Sequence, residues 1–284
     1  MIVVTGATGR LGRQVVTGLL DTLPADQIVA AVRDPAKAKD FADRGVQIRV
    51  ADYDEPRTLT SALDGADRLL LISSNNYEHA VAQHTAAIDA AKQAGVGRLV
   101  YTSLAHADTT TLATAIPHRL TEPIVRASGL PFTLLRNNLY TDHYAAQVAQ
   151  AVTAGVFVGS AGTGRVASAT IADYAAAAVA VLTGDGHDDQ VYELGGDVAW
   201  GFADLVAELS RITGRQIEYR NLPADQHVAL LVSGGVQPFL AELFVNVYQA
   251  IGAGQLSDTS GDLHRLIGRP PTSLTDWLAS VTRD

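Results

Sequence analysis

The first half of the chain alternates short apolar runs with longer amphipathic or alanine-rich segments. The apolar runs cover residues 2–5, 28–32, 68–73, 99–103 and 132–136, and residues 46–50 alternate apolar and polar positions, which also predicts a strand. Runs of this length are typical of strands that are buried on both faces of a parallel sheet. The segments between them are predicted to be helices, and glycines that commonly end helices follow three of them: Gly65, Gly95 and Gly129. This alternation predicts an α/β fold with a doubly wound parallel sheet of the Rossmann type.

After residue 136 the alternation weakens. A glycine-rich stretch at 155–164 predicts turns, and residues 170–173 have the composition of a capping box for a following helix at 174–182. One further strand is expected at 191–194. Helical periodicity then follows at 202–212, 239–251 and 263–267. The C-terminal part is therefore expected to form a smaller, mainly helical lobe.

The turn after the first apolar run contains three glycines, Gly6, Gly9 and Gly12, each separated from the next by two residues. In a strand–turn–helix context, the first glycine allows a tight turn. The second lets the backbone approach a pyrophosphate, and the third lets the helix pack closely. The phosphates would lie at the helix N-terminus, where backbone N–H groups are free. An ordinary glycine-rich turn is the structural alternative.

The whole turn is predicted to bind a dinucleotide through these residues: Gly6, Ala7, Thr8, Gly9, Arg10, Leu11 and Gly12. Residues 1–136 with about 165–195 are accordingly expected to form an NAD(P)-binding domain. The remainder, about 137–164 with 196–284, is expected to form a substrate-binding lobe.

The residue after the second apolar run distinguishes the two nicotinamide cofactors. An acidic residue there would bind the ribose hydroxyls of NAD, whereas an arginine nearby accommodates the 2′-phosphate of NADP. Arg33 occupies this place, Arg10 can add a second positive charge, and Lys37 is a weaker candidate. Arginine suits a phosphate because it is always charged and binds bidentately. The neighbouring Asp34 weakens the distinction, and a merely solvated role for Arg33 is the alternative. The pattern favours NADP(H) over NAD(H).

Small polar side chains follow the other predicted strands at the same edge of the sheet, where ligands bind in open α/β folds. The cofactor-binding candidates among them are Asp52, Ser73, Ser74, Asn75, Thr102, Asn137 and Asn138. Asp52, with Tyr53, is expected beside the adenine. Asn137 and Tyr140 are candidates for positioning the nicotinamide or lining the acceptor pocket. Each residue alone is compatible with ordinary loop chemistry, but together they predict a site.

The composition narrows the possible functions. The net charge is −9, which argues against a nucleic-acid partner because phosphate contacts need basic surfaces. The chain has no cysteine, so thiolate nucleophiles and zinc–thiolate sites are excluded, and no metal site is expected. Met1 leads directly into the first strand without a signal-like segment, and no apolar stretch is long enough to span a bilayer. We expect a cytoplasmic protein; its oligomeric state is not predicted.

The acid–base pair of most short-chain dehydrogenases is missing. None of the nine tyrosines has a lysine four residues later. The corresponding region contains His118 and Glu122, which lie one helical turn apart. His118 is a weak candidate for a proton donor, and a surface ion pair between these two residues is favoured. A hydride donor without an organised acid suits acceptors that are already electrophilic, such as quinones and triarylmethane dyes.

Several segments together resemble the NmrA-like group of atypical short-chain dehydrogenases. They are residues 4–12, 28–37, 51–53, 70–74, 101–103, 134–137 and 266–268. Within this group, the bacterial quinone reductases have the most similar motifs and the triphenylmethane dye reductases come next. The chain departs from these relatives at Arg10, where glutamine is more common, and at Asn138–Leu139, where the quinone reductases tend to have Gly-Trp.

The resemblance implies that NADPH is bound at residues 6–11, Arg33, the 73–75 turn and residues 137–140. It also implies a substrate cleft between two lobes, near Asn137 and Tyr140. The main hypothesis is an NADPH-dependent reductase of a quinone or similar small-molecule acceptor. A non-catalytic NmrA-like regulator that senses dinucleotides is the alternative. A reductase of an imine, an enone or a small carbonyl compound is a third possibility.

Overall fold

A computed structural model describes residues 1–283. Its strands are β1 (Ile2–Thr5), β2 (Ile28–Val32), β3 (Gln47–Val50), β4 (Arg68–Leu71), β5 (Arg98–Leu104), β6 (Phe132–Asn137), β7 (Val156–Gly159), β8 (Arg165–Val166), β9 (Gln190–Leu194), β10 (Trp200–Gly201) and β11 (Glu218–Asn221). Its helices are α1 (Arg10–Leu20), α2 (Lys39–Ala42), α3 (Pro56–Ala62), α4 (Ala80–Ala94), α5 (Ile116–Arg126), α6 (Ala145–Ala154), α7 (Ile171–Thr183), α8 (Phe202–Thr213), α9 (Ala224–Ser233), α10 (Pro238–Gly252), α11 (Asp262–Ile267) and α12 (Leu274–Val281).

Seven strands form one sheet in the order β3-β2-β1-β4-β5-β6-β9. The strand β1 pairs in parallel with β2 on one side and with β4 on the other. The pairs β2–β3, β4–β5 and β5–β6 are also parallel. The chain therefore builds outward from β1 to β3, returns to the far side of β1, and builds outward again. Such a reversal opens a crevice at the carboxyl ends of β1 and β4.

The sheet forms because its central strands are apolar on both faces. Every residue of β1 and β2 is buried, and Val3, Leu69 and Leu99 are completely inaccessible to solvent. Strands of this kind need helices on both sides of the sheet to remove them from water. On one side α1 lies close to α7, where a Cβ added at Gly18 would be 3.0 Å from Val179. The predicted Rossmann-type α/β fold is confirmed.

The described chain forms two compact units. The first comprises Met1–Ala107, Ile116–Asn137 and Ile171–Glu193, and it contains the parallel sheet up to β6 together with most of β9. The second comprises Asp108–Ala115, Asn138–Thr170 and the chain from Leu194 onward.

Two arginines at the amino ends of neighbouring strands hold the last turn of α7 in the first unit. Arg68 donates to the carbonyls of Leu182 and Gly184, at 2.7 and 2.8 Å. Arg98, in register with Arg68, donates to the Gly184 carbonyl at 3.1 Å and pairs with Asp188. These cations bind where the helix macrodipole is negative and where backbone carbonyls lack partners.

The second unit has a core of aromatic side chains around Phe202, at the start of α8. Its ring lies 5.1–5.7 Å from the rings of five other residues: Tyr144, Phe157, Trp200, Tyr219 and Tyr248. Phe157 belongs to β7, which pairs in parallel with β11. The expectation that residues 155–164 form only turns is therefore wrong at 156–159, because the buried Phe157 fixes a short strand there.

Candidate functional site

The glycine turn between β1 and α1 has the backbone geometry of an anion cradle. Gly6 has φ +58°, a left-handed conformation that favours glycine. Its carbonyl accepts the Gly9 amide at 2.9 Å, which closes the turn. Gly9 is the N-cap of α1 and provides no side-chain hydrogen bond, and the first turn of the helix has no acidic residue. The first amides of α1 therefore lie at a positive helix end that no side chain caps.

The remaining two glycines are required by close contacts inside this turn. A Cβ at Gly12 would lie 2.3 Å from the Gly6 carbonyl oxygen and 2.8 Å from the Ala7 Cα. A Cβ at Gly9 would lie 3.2 Å from the same oxygen. Gly12 thus lets α1 pack closely against the turn that follows β1, as the sequence pattern predicts. A larger residue at either position would fill or displace the cradle.

Two arginines at the ends of β1 and β2 have no side-chain partner within residues 1–283. Arg10 is the first residue of α1 and Arg33 directly follows β2, and both are exposed. Because β1 and β2 are adjacent and parallel, the two residues belong to the same edge of the sheet. Arg13 differs from them, since it pairs with Asp40 at 2.7 Å and lies over the Phe41 ring. Its guanidinium lowers the pKa of the Asp40 carboxyl.

The carboxylate of Asp34, the residue that weakens the prediction of cofactor preference, binds a backbone amide two residues later in the chain. Its side chain accepts the Ala36 amide at 3.0 Å and caps a single 3-10 turn at Pro35–Ala38. This 3-10 turn continues directly into the short α2. Lys37 is exposed, and its carbonyl accepts from Arg13. The positive charge of Arg33 is therefore accompanied by a carboxylate that already has a backbone partner.

At the end of β3, Asp52 shapes its own turn, since its carboxylate accepts the Asp54 amide at 3.1 Å. The next residue, Tyr53, reaches back across the sheet edge. Its hydroxyl lies 2.6 Å from Thr5 Oγ1 and 2.7 Å from the Ile72 carbonyl. Burial raises the pKa of Tyr53. Tyr53 thus joins the ends of β3, β1 and β4 at the crevice, as a neutral phenol.

The turn after β4 is held by side chains from three other elements. The consecutive amides of Ile72, Ser73 and Ser74 donate to Thr5 Oγ1 at 3.0 Å, Thr102 Oγ1 at 2.9 Å and His84 Nε2 at 2.8 Å. Thr102 is buried and lies beneath the turn. Asn75 is exposed at its tip. Sequence reasoning missed Thr5 and His84, because neither has a local motif that indicates its partner.

The residues at the end of β6 divide between the two units. Asn137, the last residue of β6, is buried, and its carbonyl accepts the Ala105 amide at 2.9 Å. Asn138 is buried in the second unit, where its amide nitrogen donates to the Leu256 carbonyl at 3.0 Å and its Oδ1 accepts the Leu139 amide. Both groups of the Asn138 side chain therefore have structural partners. Tyr140 is partly exposed, and its ring lies 5.2 Å from that of His143.

The predicted surface ion pair between His118 and Glu122 is wrong. Glu122 is buried and pairs with Arg136 at 2.6 Å, and it also accepts from Ser103 Oγ at 2.7 Å. His118 Nδ1 is instead 2.8 Å from the Tyr101 hydroxyl. Burial lowers the pKa of His118 to about 4, although the charge of Glu122 opposes this shift. The spacing placed both residues on one helix face, but that face packs against β5 and β6.

No helix within residues 1–283 is both long and apolar enough to cross a bilayer. The same part of the chain has no group of three or more histidine, aspartate or glutamate side chains placed to hold a metal ion.

Comparisons with known proteins point to one family. The profile of a family described as NAD(P)H-binding matches residues 6–181. Quinone oxidoreductase 2 of Escherichia coli (strain K12) is 47% identical over 281 residues, which are 99% of this chain and 98% of that protein.

Two solved structures are also similar over nearly the whole chain. One is the NADPH-dependent quinone oxidoreductase QOR2 from Escherichia coli complexed with NADPH, with a TM-score of 0.97, 46% identity and 99% of each chain covered. The other is the Citrobacter sp. triphenylmethane reductase complexed with NADP(H), with a TM-score of 0.95 and 37% identity over 99% of this chain and 100% of that one. The chain belongs to the NAD(P)H-binding family, within its NmrA-like branch of atypical short-chain dehydrogenases.

Proposed function

We infer that the protein is an NADPH-dependent reductase that transfers hydride to a quinone or a similar electrophilic acceptor, including triarylmethane dyes. The observation that supports the cofactor is the uncapped, acid-free N-terminus of α1 behind the Gly6–Gly9 turn. The acceptor class rests on 47% identity to a quinone oxidoreductase over the whole chain. Similarity to a triphenylmethane reductase extends it to dyes.

The glycine turn fits a pyrophosphate because its amides are uncapped and a Cβ at Gly12 would collide with the turn itself. Arg33 and Arg10 are the candidates for the 2′-phosphate. Their guanidiniums have no other partner within the described chain, and the one adjacent carboxylate, on Asp34, is engaged by Ala36. A guanidinium binds phosphate oxygens bidentately, which favours NADPH over NADH.

The other half of the dinucleotide would lie on the β4 side of the crevice, since such sheets bind dinucleotides across the reversal of strand order. The turn after β4 uses the amides of Ile72, Ser73 and Ser74 internally, so it offers the carbonyl oxygens of Ser73 and Ser74 there. These accept hydrogen bonds from ribose hydroxyls or a carboxamide and do not suit a phosphate. Asn137 remains the candidate for orienting the nicotinamide, and Tyr140 remains a candidate for lining the acceptor pocket.

When bound, NADPH supplies the hydride. The chain's own residues provide positioning and exclusion of water. His118 is a poor proton donor at neutral pH because its pKa is lowered to about 4 and its Nδ1 is bonded to Tyr101. A reaction without a dedicated acid is suited to a quinone, whose reduced form takes its proton from water. This supports an electrophilic acceptor over an alcohol–ketone couple.

The test is the initial rate of NADPH and of NADH oxidation with menadione, in the wild type and in Arg33→Ala. We expect turnover that prefers NADPH. Losing a charge-assisted hydrogen bond costs about 1.5–3 kcal/mol, so KM for NADPH should rise about ten- to hundredfold in Arg33→Ala, with KM for NADH unchanged. Arg44→Ala is the matched control, because Arg44 is exposed just before β3, at the opposite edge of the sheet.

Two results would contradict the proposal in different ways. Tight NADPH binding without turnover on quinones or dyes would leave a non-catalytic dinucleotide sensor as the better account. Equal losses of NADPH and NADH turnover in Arg33→Ala would show that Arg33 does not read the 2′-phosphate.

A further inference from the structure

A buried histidine holds the turn after β4 in place. His84 lies on α4, ten residues after Ser74, and it is completely inaccessible to solvent. Its Nε2 is 2.8 Å from the Ser74 amide nitrogen, and its Nδ1 is 2.9 Å from Thr121 Oγ1 on α5. One imidazole therefore joins the turn to two helices of the first unit.

The partners of the ring fix its protonation. A backbone N–H can only donate, so Nε2 must be the acceptor and the ring proton must be on Nδ1, which donates to Thr121. The imidazole is therefore neutral and has one defined tautomer. Burial, and to a lesser degree the nearby His118, lowers the pKa of His84 to about 3, which agrees with the neutral form at neutral pH. Both nitrogens are engaged, so the ring cannot transfer a proton without breaking the turn.

The hydrogen bond from the Ser74 amide to His84 is the last of three that side chains accept from consecutive amides of the turn after β4. The strand β4 ends at Leu71, yet the next three amides, of Ile72, Ser73 and Ser74, are all bonded by side chains instead of by a neighbouring strand. Without His84, the Ser74 amide would be free to bond a ligand, and the turn would lose the only one of these three anchors that comes from a helix. The set converts the turn from a donor surface into an acceptor surface. The carbonyls of Ser73 and Ser74 accept no hydrogen bond elsewhere in residues 1–283.

We propose that His84 is a positioning residue that orients the Ser73–Asn75 turn toward the nicotinamide half of the cofactor and makes that turn select hydrogen-bond donors. The proposal rests on the proposed function only in taking a dinucleotide as the ligand. Because Arg33 follows β2 and the turn follows β4, the two mononucleotide halves lie on opposite sides of β1. His84 should therefore affect binding of the nicotinamide half and leave the adenosine 2′-phosphate half unaffected.

The test compares the Kd of NADPH with the Kd of 2′,5′-ADP, which lacks the nicotinamide half, in two variants of the full chain. His84→Asn keeps a polar group at the Nδ1 position but is too short to reach the Ser74 amide. His84→Gln carries an acceptor at the Nε2 position. We expect His84→Asn to weaken NADPH binding about tenfold, a typical effect of one lost buried hydrogen bond, and to leave 2′,5′-ADP binding within twofold. His84→Gln should restore NADPH binding to within threefold of the wild type.

Thr133→Val is the matched control, because it removes a buried hydroxyl that donates to the His187 carbonyl near the amino end of β6, away from His84 and from the turn at the carboxyl end of β4. It should lower Tm without changing either Kd. Unchanged NADPH binding in His84→Asn, or equal weakening of both ligands, would overturn the proposal. Since both readouts are binding constants, absence of quinone turnover in the wild type would overturn the proposed function without deciding this inference.

Discussion

Replacing Gly12 with alanine tests whether the glycine turn must keep its present shape to bind the cofactor. The new Cβ would lie 2.3 Å from the Gly6 carbonyl oxygen and 2.9 Å from its carbonyl carbon, and both are backbone atoms. An ordinary contact needs about 3.4 Å, so α1 and the turn must separate by about 1 Å. Overpacking of this kind costs about 1–3 kcal/mol, and the better helix propensity of alanine offsets about 1 kcal/mol. We expect a net destabilisation of about 0–2 kcal/mol.

The effect on binding should exceed the effect on stability. A displacement of about 1 Å would stretch the hydrogen bonds from the α1 amides to a phosphate beyond useful length. Losing one charge-assisted bond costs about 2 kcal/mol, which corresponds to a roughly 30-fold higher Kd. The assay is titration of NADPH and of 2′,5′-ADP, and both should weaken together because both end at the same cradle. Urea unfolding measures separately how much Gly12→Ala lowers the free energy of unfolding.

The controls are glycines of the same turn and helix. Gly18→Ala puts a Cβ 3.0 Å from Val179 Cγ2, the end of a side chain that can move, so both Kd values should stay within twofold. Gly9→Ala, with a 3.2 Å contact to the Gly6 oxygen, should give an intermediate loss. If Gly12→Ala binds NADPH within threefold of the wild type, the cradle does not depend on this packing and the reasoning fails.

Two further predictions concern stability. Arg98→Met should lower the free energy of unfolding, measured in urea, by about 2 kcal/mol, because Asp188 and the Gly184 carbonyl at the end of α7 lose a buried cation. Arg44→Met, the control, should leave the free energy of unfolding unchanged. Equal values for the two variants would show that Arg98 does not stabilise the end of α7. His84 and His118 have pKa values of about 3 and 4, below the ordinary 6.5, so only the unfolded chain takes up their protons as the pH falls. Stability should therefore be highest above pH 6.5 and should drop by about 1–2 kcal/mol per histidine between pH 7 and pH 5, and a flat profile would contradict their burial as neutral rings.

The parts of this protein that the sequence could predict are those set by neighbours along the chain. The apolar run at 2–5, the turn from Gly6 to Gly12 and the following helix are local features, because glycine conformations and helical periodicity act within a few residues. The place of Arg33 after β2 is local in the same sense. The parallel sheet follows from the alternation of such units, since right-handed crossovers leave few other arrangements.

What only the tertiary structure decided are the partners of polar side chains. The spacing of His118 and Glu122 predicts a pair on one helix face, but Arg136, fourteen residues later on β6, takes the carboxylate instead. Asn138 was expected to bind the cofactor, yet its side-chain amide donates to the Leu256 carbonyl, 118 residues away. No periodicity encodes such distances, because a hydrogen bond needs two atoms within about 3 Å and packing of the whole domain sets that separation. His84 is the same case: the sequence shows a histidine on a helix, and only the folded chain places its Nε2 on the Ser74 amide.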